Sequence, residues 1–253
     1  MKKATVISWA NFKGGVAKSS STASVGSILA SKGKRVLIVD LDAQTNLTVC
    51  FLNDEEREES IYSAMLGKSR LPIVNIKENL DLIPASVKLA MIDLELASAF
   101  SRERILADLL EPYKEKYDYI LLDCPPSLSM MTLNALTASD HIIIPLVAEV
   151  LPFVGLKMMN DFIMMVNKRL NPNAHILGIL ITRFENVKLS RNMESSIRQS
   201  LGDIVFSTKI RKNIKIAEAP LEKTDIYTYN PTSNGAQDYV AFTEELLKRL
   251  GHE

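Results

Sequence analysis

Cysteine is nearly absent. Only Cys50 and Cys124 occur in 253 residues, too few for a disulfide framework or a four-cysteine metal site. The three histidines, His141, His175 and His252, stand far apart without ligand spacing. No apolar run approaches the ~18 residues that span a bilayer, which excludes an integral helical membrane protein. The apolar stretch behind Met1-Lys2-Lys3 is too short for a signal peptide and has no cleavage site. A cytosolic protein held together by neither zinc nor disulfides is therefore expected. An excess of one sign of charge is missing too: 30 basic side chains face 30 acidic ones, net +0, which argues against a strongly basic nucleic-acid-binding domain. No linker rich in proline, glycine or serine and no repeat divides the chain. What is present, 47% hydrophobic and 24% charged residues, is ordinary for a globular protein. One domain over residues 1–253 is expected.

Short β-branched apolar runs recur at 5–9, 36–39, 80–83, 119–122, 142–146 and 176–181. They are continuous rather than alternating, as in parallel strands buried on both faces. Segments of helical spacing lie between them, at about 18–32, 86–113, 128–138, 153–170, 188–201 and 233–250. Strands alternating with helices predict an α/β fold, a doubly wound, mostly parallel sheet with helices on both faces. Such sheets bind ligands beyond the carboxyl ends of their strands. Three chemically loaded turns stand there: 11–20, 40–42 and 123–127.

In the first turn Gly14 and Gly15 precede Lys18 and Ser19 at a helix start. Backbone N–H groups and a helix N-terminus make a polyphosphate site. Lys18 is placed to reach β- and γ-phosphates, and the Ser19 hydroxyl to ligate Mg²⁺. The pattern G-x-x-x-x-G-K-[ST] is not met, because Phe12 and Ala17 replace its glycines; x-K-G-G-x-x-K-[ST] is met, with a second lysine at Lys13. Taken alone, a glycine turn before a lysine-headed helix also suits an ordinary loop. Two later aspartate turns favour a Mg-nucleotide site: Asp42 to orient an attacking water, Asp40 and Asp123 to hold Mg²⁺ through its waters.

Phe12 to Ser20 resembles the deviant Walker A motif of ParA-type partition ATPases, which usually reads K-G-G-V-G-K-T-T. The resemblance continues through Val39-Asp40-Leu41-Asp42-Ala43-Gln44, Asp123-Cys124-Pro125-Pro126-Ser127-Leu128, Ala217-Glu218-Ala219-Pro220 and Pro231-Thr232-Ser233-Asn234-Gly235-Ala236. It covers nearly the whole chain, and with no helix-turn-helix before the loop it resembles the short, Soj-like members. A P-loop NTPase fold is implied, with a nucleotide held by Lys13, Gly14, Gly15, Val16, Ala17, Lys18, Ser19 and Ser20. ATP with Mg²⁺ is implied to drive a sandwich homodimer in which Lys13 crosses to the partner's phosphates, Lys18 serves its own subunit and Asp42 supports hydrolysis. The dimer is implied to bind DNA without sequence preference, on the nucleoid, until a ParB-like centromere-binding protein stimulates hydrolysis. Plasmid or chromosomal DNA would be segregated in this way. No strong base stands beside the motif, so slow intrinsic turnover is expected.

Two departures from the family matter. Ala17 replaces the usual glycine, and its β-carbon costs roughly 1–2 kcal/mol if the backbone there is left-handed. Weaker but retained nucleotide binding is the favoured expectation, against a relaxed loop or a chain locked out of the ATP state. Arg211-Lys212-Asn213 stands where the family usually has Pro-Arg-Asn, the segment whose Arg211 and Asn213 would contact the base edge. Basic residues cluster here, so Lys209, Arg211, Lys212 and Lys215 are the DNA-binding candidates, with Arg183, Lys188 and Arg191 upstream. The Met-rich segment at Met158, Met159, Phe162, Met164 and Met165 suits core packing or a dimer contact before a partner groove. A MinD-like membrane-positioning ATPase would end in a basic amphipathic helix, whereas Phe242 to Leu250 carries both signs of charge. No membrane contact is expected. Neither cysteine has the ligand context of an iron–sulfur relative. The alternatives carried forward are a nucleotide-impaired DNA- or protein-binding scaffold and a small-molecule ATP-dependent ligase resembling dethiobiotin synthetase.

Overall fold

The computed structural model describes residues 3–53, 58–149 and 152–252. Strands β1 (Thr5–Trp9), β2 (Val36–Asp40), β3 (Val74–Lys77), β4 (Leu80–Ile83), β5 (Tyr119–Asp123), β6 (His141–Val147), β7 (His175–Phe184) and β8 (Val205–Arg211) form one sheet. Their order across it is β3-β4-β2-β5-β1-β6-β7-β8. Every neighbouring pair is parallel except β3–β4, which is antiparallel. The helices are α1 (Lys18–Ser31), α2 (Asn46–Phe51), α3 (Ile61–Met65), α4 (Ile92–Glu95), α5 (Ile105–Leu110), α6 (Met130–Ala138), α7 (Pro152–Arg169), α8 (Lys188–Leu201), α9 (Ile214–Glu218), α10 (Ile226–Tyr229) and α11 (Asn234–Arg249).

Successive strand side chains point to opposite faces, and the central strands are apolar at both parities. Val6, Leu37, Val39, Ile120 and Leu122 enter one core under α3–α8. Ile7, Trp9, Val36, Ile38 and Leu121 enter a second core under α1, α2, α10 and α11. All five residues of β2 and of β5 are buried, which is why these runs lack a polar face. Helix α1 lies close on the sheet because Gly26 has no side chain: a β-carbon there would meet Ile38 at 2.8 Å.

The expected helices near 18–32, 128–138, 153–170, 188–201 and 233–250 form, with Ser129 and Ser233 capping α6 and α11 through their side chains. The continuous helix expected over 86–113 does not. It splits into a 3₁₀ turn at Val87–Met91, α4, and α5 followed by a 3₁₀ turn at Glu111–Tyr113. Ser101 takes φ 48 in the gap, and buried Asn134 accepts from Leu106 N–H and donates to Arg102 C=O, pinning the break. Two strands were not expected. β3 is a short, half-exposed hairpin edge and β8 an edge strand of mixed polarity. In α7 Met159 is buried, whereas Met158, Met164 and Met165 are exposed; Phe162 meets Phe12 edge-on. No helix among the described residues is long and apolar enough to cross a membrane.

Candidate nucleotide site

β2, β5 and β1 are neighbours, so their carboxyl ends place three turns side by side. Register pairs Trp9 with Asp123 and Asp40 with Asp123. The β1–α1 turn is organised by where its carbonyls go. Lys18 Nζ donates to Asn11 C=O at 3.3 Å and Lys13 C=O at 3.4 Å. The Arg183 guanidinium donates to Gly15 C=O at 2.9 Å and Thr182 Oγ1 to Val16 C=O at 3.0 Å. Ser21 N–H takes Ala17 C=O at 2.9 Å. With these oxygens engaged, the groups left for an anion are the turn's amides and the unpaired N–H groups of the first turn of α1. Gly15 and Ala17 both hold left-handed backbone, φ 70 and φ 65, so the strain foreseen for an alanine at 17 is present. Asn11 braces the base of the turn, accepting from Lys13 N–H and donating to Pro145 C=O.

Lys18 is 6% exposed. Burial lowers its pKa, with the Asp123 charge pulling the other way. Asp40 and Asp123 are fully buried on adjacent strands. Burial pushes the Asp40 carboxyl up to about 6. Burial first, then the charge of Asp40, holds Asp123 well above the usual carboxylate range. Their hydrogen bonding differs. Asp40 accepts from Asp42 N–H, Thr48 N–H and Thr48 Oγ1, so it ties the start of α2 to the sheet. Asp123 has the Ser19 hydroxyl beside it, yet neither of its oxygens has a hydrogen-bond partner of normal geometry among the described residues. An orphaned buried carboxylate next to a hydroxyl fits a hard divalent cation, which takes oxygen ligands and keeps several waters. Of the three expected metal residues, Ser19 and Asp123 therefore keep free oxygens, and those of Asp40 are engaged internally. Asp42, 7% exposed, accepts from Gln44 N–H and lines the same cleft.

That cleft holds about 470 Å³ and runs past Lys18, Ser20, Asp42 and Pro126 to Ile216 and Pro220. A second hollow of about 360 Å³ adjoins it, lined by Gly15, Ser20, Arg183, Asn213 and Tyr239 among others. Of the expected base contacts, Arg211 is gripped by Asp238, which takes its Nε at 2.9 Å, an amino group at 2.6 Å and its backbone N–H. Asn213 caps α9 with its side-chain oxygen and keeps its amide donor.

The second lysine, Lys13, pairs with Glu149 at 2.5 Å, joining the turn to the end of β6. The basic segment is paired throughout, which differs from an open patch. Lys209 meets Glu194 at 2.6 Å and lies over the Phe184 ring. Arg211 meets Asp238, Lys212 meets Glu185 at 2.9 Å and Lys215 meets Glu218 at 2.7 Å. Sequence reasoning missed Thr182, Glu149 and the contact Arg183 makes with the turn. None is near the motif in the chain, and no local pattern marks them.

Residues 4–176 match the AAA domain family. The chain is 37% identical to the sporulation initiation inhibitor protein Soj of Bacillus subtilis, covering 95% of this chain and 97% of that protein. It is 32% identical to the chromosome partitioning protein ParA of Caulobacter vibrioides, covering 96% and 94%. Among solved structures it resembles the cobyrinic acid a,c-diamide synthase of Mycobacterium smegmatis with bound ATP analogue and magnesium, with a TM-score of 0.85, 31% identity and coverage of 98% and 96%. It also resembles a candidate plasmid partition protein of Borrelia burgdorferi bound to AMPPNP, with a TM-score of 0.85, 27% identity and coverage of 98% and 100%.

Proposed function

The chain belongs to the AAA domain family and, within it, to the Soj- and ParA-type P-loop ATPases, and from that premise we propose that it is a Mg-ATP-dependent dimerising switch that binds DNA without sequence preference and segregates or positions it with a ParB-like partner. The observation that carries this reading is buried Lys18 heading α1 beside the unpartnered carboxylate of Asp123, under a turn whose carbonyls are tied outward. A polyphosphate supplies the anion this turn is shaped for, and Ser19 with Asp123 would hold the Mg²⁺. Bound there, the cation would neutralise charge on the transferring phosphoryl group.

The residues divide the work. Lys18 neutralises phosphate charge in its own subunit, and the amides of Gly14 to Ser19 orient the phosphates. Asp42 orients the attacking water. Lys13 leaves Glu149 and reaches the phosphates of a second copy, which makes association depend on the γ-phosphate. Asn213 and the wall at Ile216 and Pro220 receive the base. The protein acts in the cytoplasm on the nucleoid, and turnover is slow because no strong base stands at the site among the described residues.

The likeness to the cobyrinic acid a,c-diamide synthase supports a second reading, a ligase that uses ATP on a small carboxylic acid. Lys13 counts against it, since a ligase has no need of a lysine aimed at a partner's phosphates. Fluorescence anisotropy of a labelled random-sequence duplex, titrated under Mg-ATP, Mg-ADP and no nucleotide, tests the choice, with Ala17→Gly alongside. Binding that appears only with ATP is expected. Nucleotide-independent binding until glycine stands at 17 would make the chain a nucleotide-impaired scaffold. No nucleotide effect in either protein, with turnover that depends on a carboxylic-acid metabolite, would overturn the switch in favour of the ligase.

A further inference from the structure

The carboxyl end of β7 departs from a regular strand at the point where it meets the phosphate turn. Ile181 pairs with Lys209 and Phe184 with Arg211, so three steps along β7 match two along β8. The surplus residue falls at 182–183, and there Arg183 takes φ 50. Left-handed backbone on a long side chain is strained and persists only where the surroundings hold it. An arginine free in water gains nothing from that conformation, whereas one bound to the turn does.

The bulge changes where side chains point. In a regular strand Thr182 and Arg183 would face opposite sides of the sheet; a bulge re-aims one of them. Here adjacent residues reach adjacent carbonyls of one turn, Thr182 Oγ1 to Val16 C=O at 3.0 Å and Arg183 to Gly15 C=O at 2.9 Å. Those carbonyls flank the two left-handed residues, Gly15 and Ala17. Ser21 N–H on Ala17 C=O is the first bond of α1 itself, so the two carbonyls before it are the ones held from outside. Glycine would tolerate φ 65 unaided, whereas the β-carbon of Ala17 works against it.

We propose that the β7 bulge is a clasp on the phosphate turn, with Arg183 a positioning residue that acts through Gly15 to hold the anion-binding shape that Ala17 disfavours. The inference rests on the ATP-site reading. It assigns Arg183 to the turn rather than to a DNA surface and couples it to Ala17. Loss of the clasp lets the turn relax from around bound phosphate, so it speeds nucleotide release more than it slows capture.

Stopped-flow binding of a fluorescent ATP analogue with Mg²⁺ tests this on the intact protein, Arg183→Met, Arg183→Lys, Ala17→Gly and the Ala17→Gly/Arg183→Met double variant. Arg183→Met is expected to raise the dissociation rate about tenfold, the equivalent of ~1.4 kcal/mol, with the association rate and the nucleotide-free melting temperature little changed. Arg183→Lys restores part of the loss, because an ammonium can still donate to a carbonyl. In the Ala17→Gly background the effect of Arg183→Met falls to about threefold or less, roughly 0.65 kcal/mol. An unchanged dissociation rate in Arg183→Met, or an equal loss in both backgrounds, would overturn the clasp and leave the ATP site standing. Failure of all five proteins to bind the analogue would overturn the ATP-site reading and the clasp with it.

Discussion

At the scale of single residues the site carries costs that folding alone does not explain. Asp123 is buried with neither oxygen in a hydrogen bond of normal geometry among the described residues, and burying a carboxylate charge beside that of Asp40 is destabilising. Asp123→Asn is therefore expected to raise the melting temperature of the nucleotide-free protein while abolishing the Mg²⁺ dependence of nucleotide binding; differential scanning fluorimetry with and without Mg-ATP reads both. Ala17→Gly sets relief of roughly 1–2 kcal/mol of strain against about 0.4–1 kcal/mol of added freedom in the unfolded chain. The net gain is at most ~1.6 kcal/mol, so a small rise in melting temperature and tighter nucleotide binding are expected together. Far from the site, His141 Nδ1 lies 2.9 Å from His175 Nε2 at the opposite edge of the sheet. Burial, then the neighbouring His175, lowers the pKa of His141 from 6.5, with Asp140 opposing and His252 adding to the shift. The unfolded chain then binds the proton more readily, so this contribution to stability is full above about pH 6.5 and is lost as the pH falls below that. Buried Asp40 and Asp123 act with the opposite sign in this range, so the measure is the difference between the melting curves of the protein and of His141→Gln from pH 8 to 5. The protein should lose stability relative to the variant as the pH falls, and a constant difference would remove His141 as a cause.

At the scale of elements, what was legible in the sequence was what local pattern determines. Runs buried on both faces gave the central strands, and the residues just past them gave the three turns that meet at the cleft. The turn at 11–20, Lys18 and the aspartates could be expected to meet because each stands just past the carboxyl end of a strand that the pattern marks. Elements decided by distant contacts were not. β8 has an edge strand's mixed polarity, and the break in 86–113 depends on Asn134, which lies on another helix. The bulge at Arg183 is a matter of register with β8, which no single segment encodes. The Lys13–Glu149 pair is likewise illegible, since 136 residues separate its partners and only the adjacency of β1 and β6 joins them. That pair bears on the switch. Both side chains are more than half exposed, so the pair contributes on the order of 0–1 kcal/mol to the fold, but it occupies the lysine that the dimer reading sends to a second copy. Glu149→Gln is expected to leave the melting temperature unchanged and to raise the dimer fraction at limiting Mg-ATP in sedimentation velocity. A dimer fraction equal to that of the parent would show that Glu149 does not restrain Lys13.

At the scale of the whole molecule, the net charge of +0 is matched locally, because Lys209, Arg211, Lys212 and Lys215 each sit against a carboxylate. A phosphate must displace that carboxylate before any of them can bind DNA, so little counterion release is gained from these four. The exposed start of α8 differs. Lys188 and Arg191 form no ion pair among the described residues, Arg191 donating to the Asn186 side chain at 3.1 Å, and the exposed Val187 and Leu189 stand between and beside them. One such pair of cations is a weak site, but a two-fold dimer presents it twice, and tethered weak sites multiply. Lys188→Ala/Arg191→Ala is therefore expected to reduce ATP-dependent affinity for a random duplex by at least about tenfold. It should also flatten the plot of log affinity against log salt by roughly 0.9 for each phosphate contact removed. Lys212→Ala/Lys215→Ala should change both much less. The reverse ranking in salt-series anisotropy would return the DNA surface to the β8–α9 segment and require Glu185 and Glu218 to release their lysines on association. Because α8 is presented twice only in the dimer, the loss should shrink to that of a single weak site under Mg-ADP, where any residual binding reports the monomer alone.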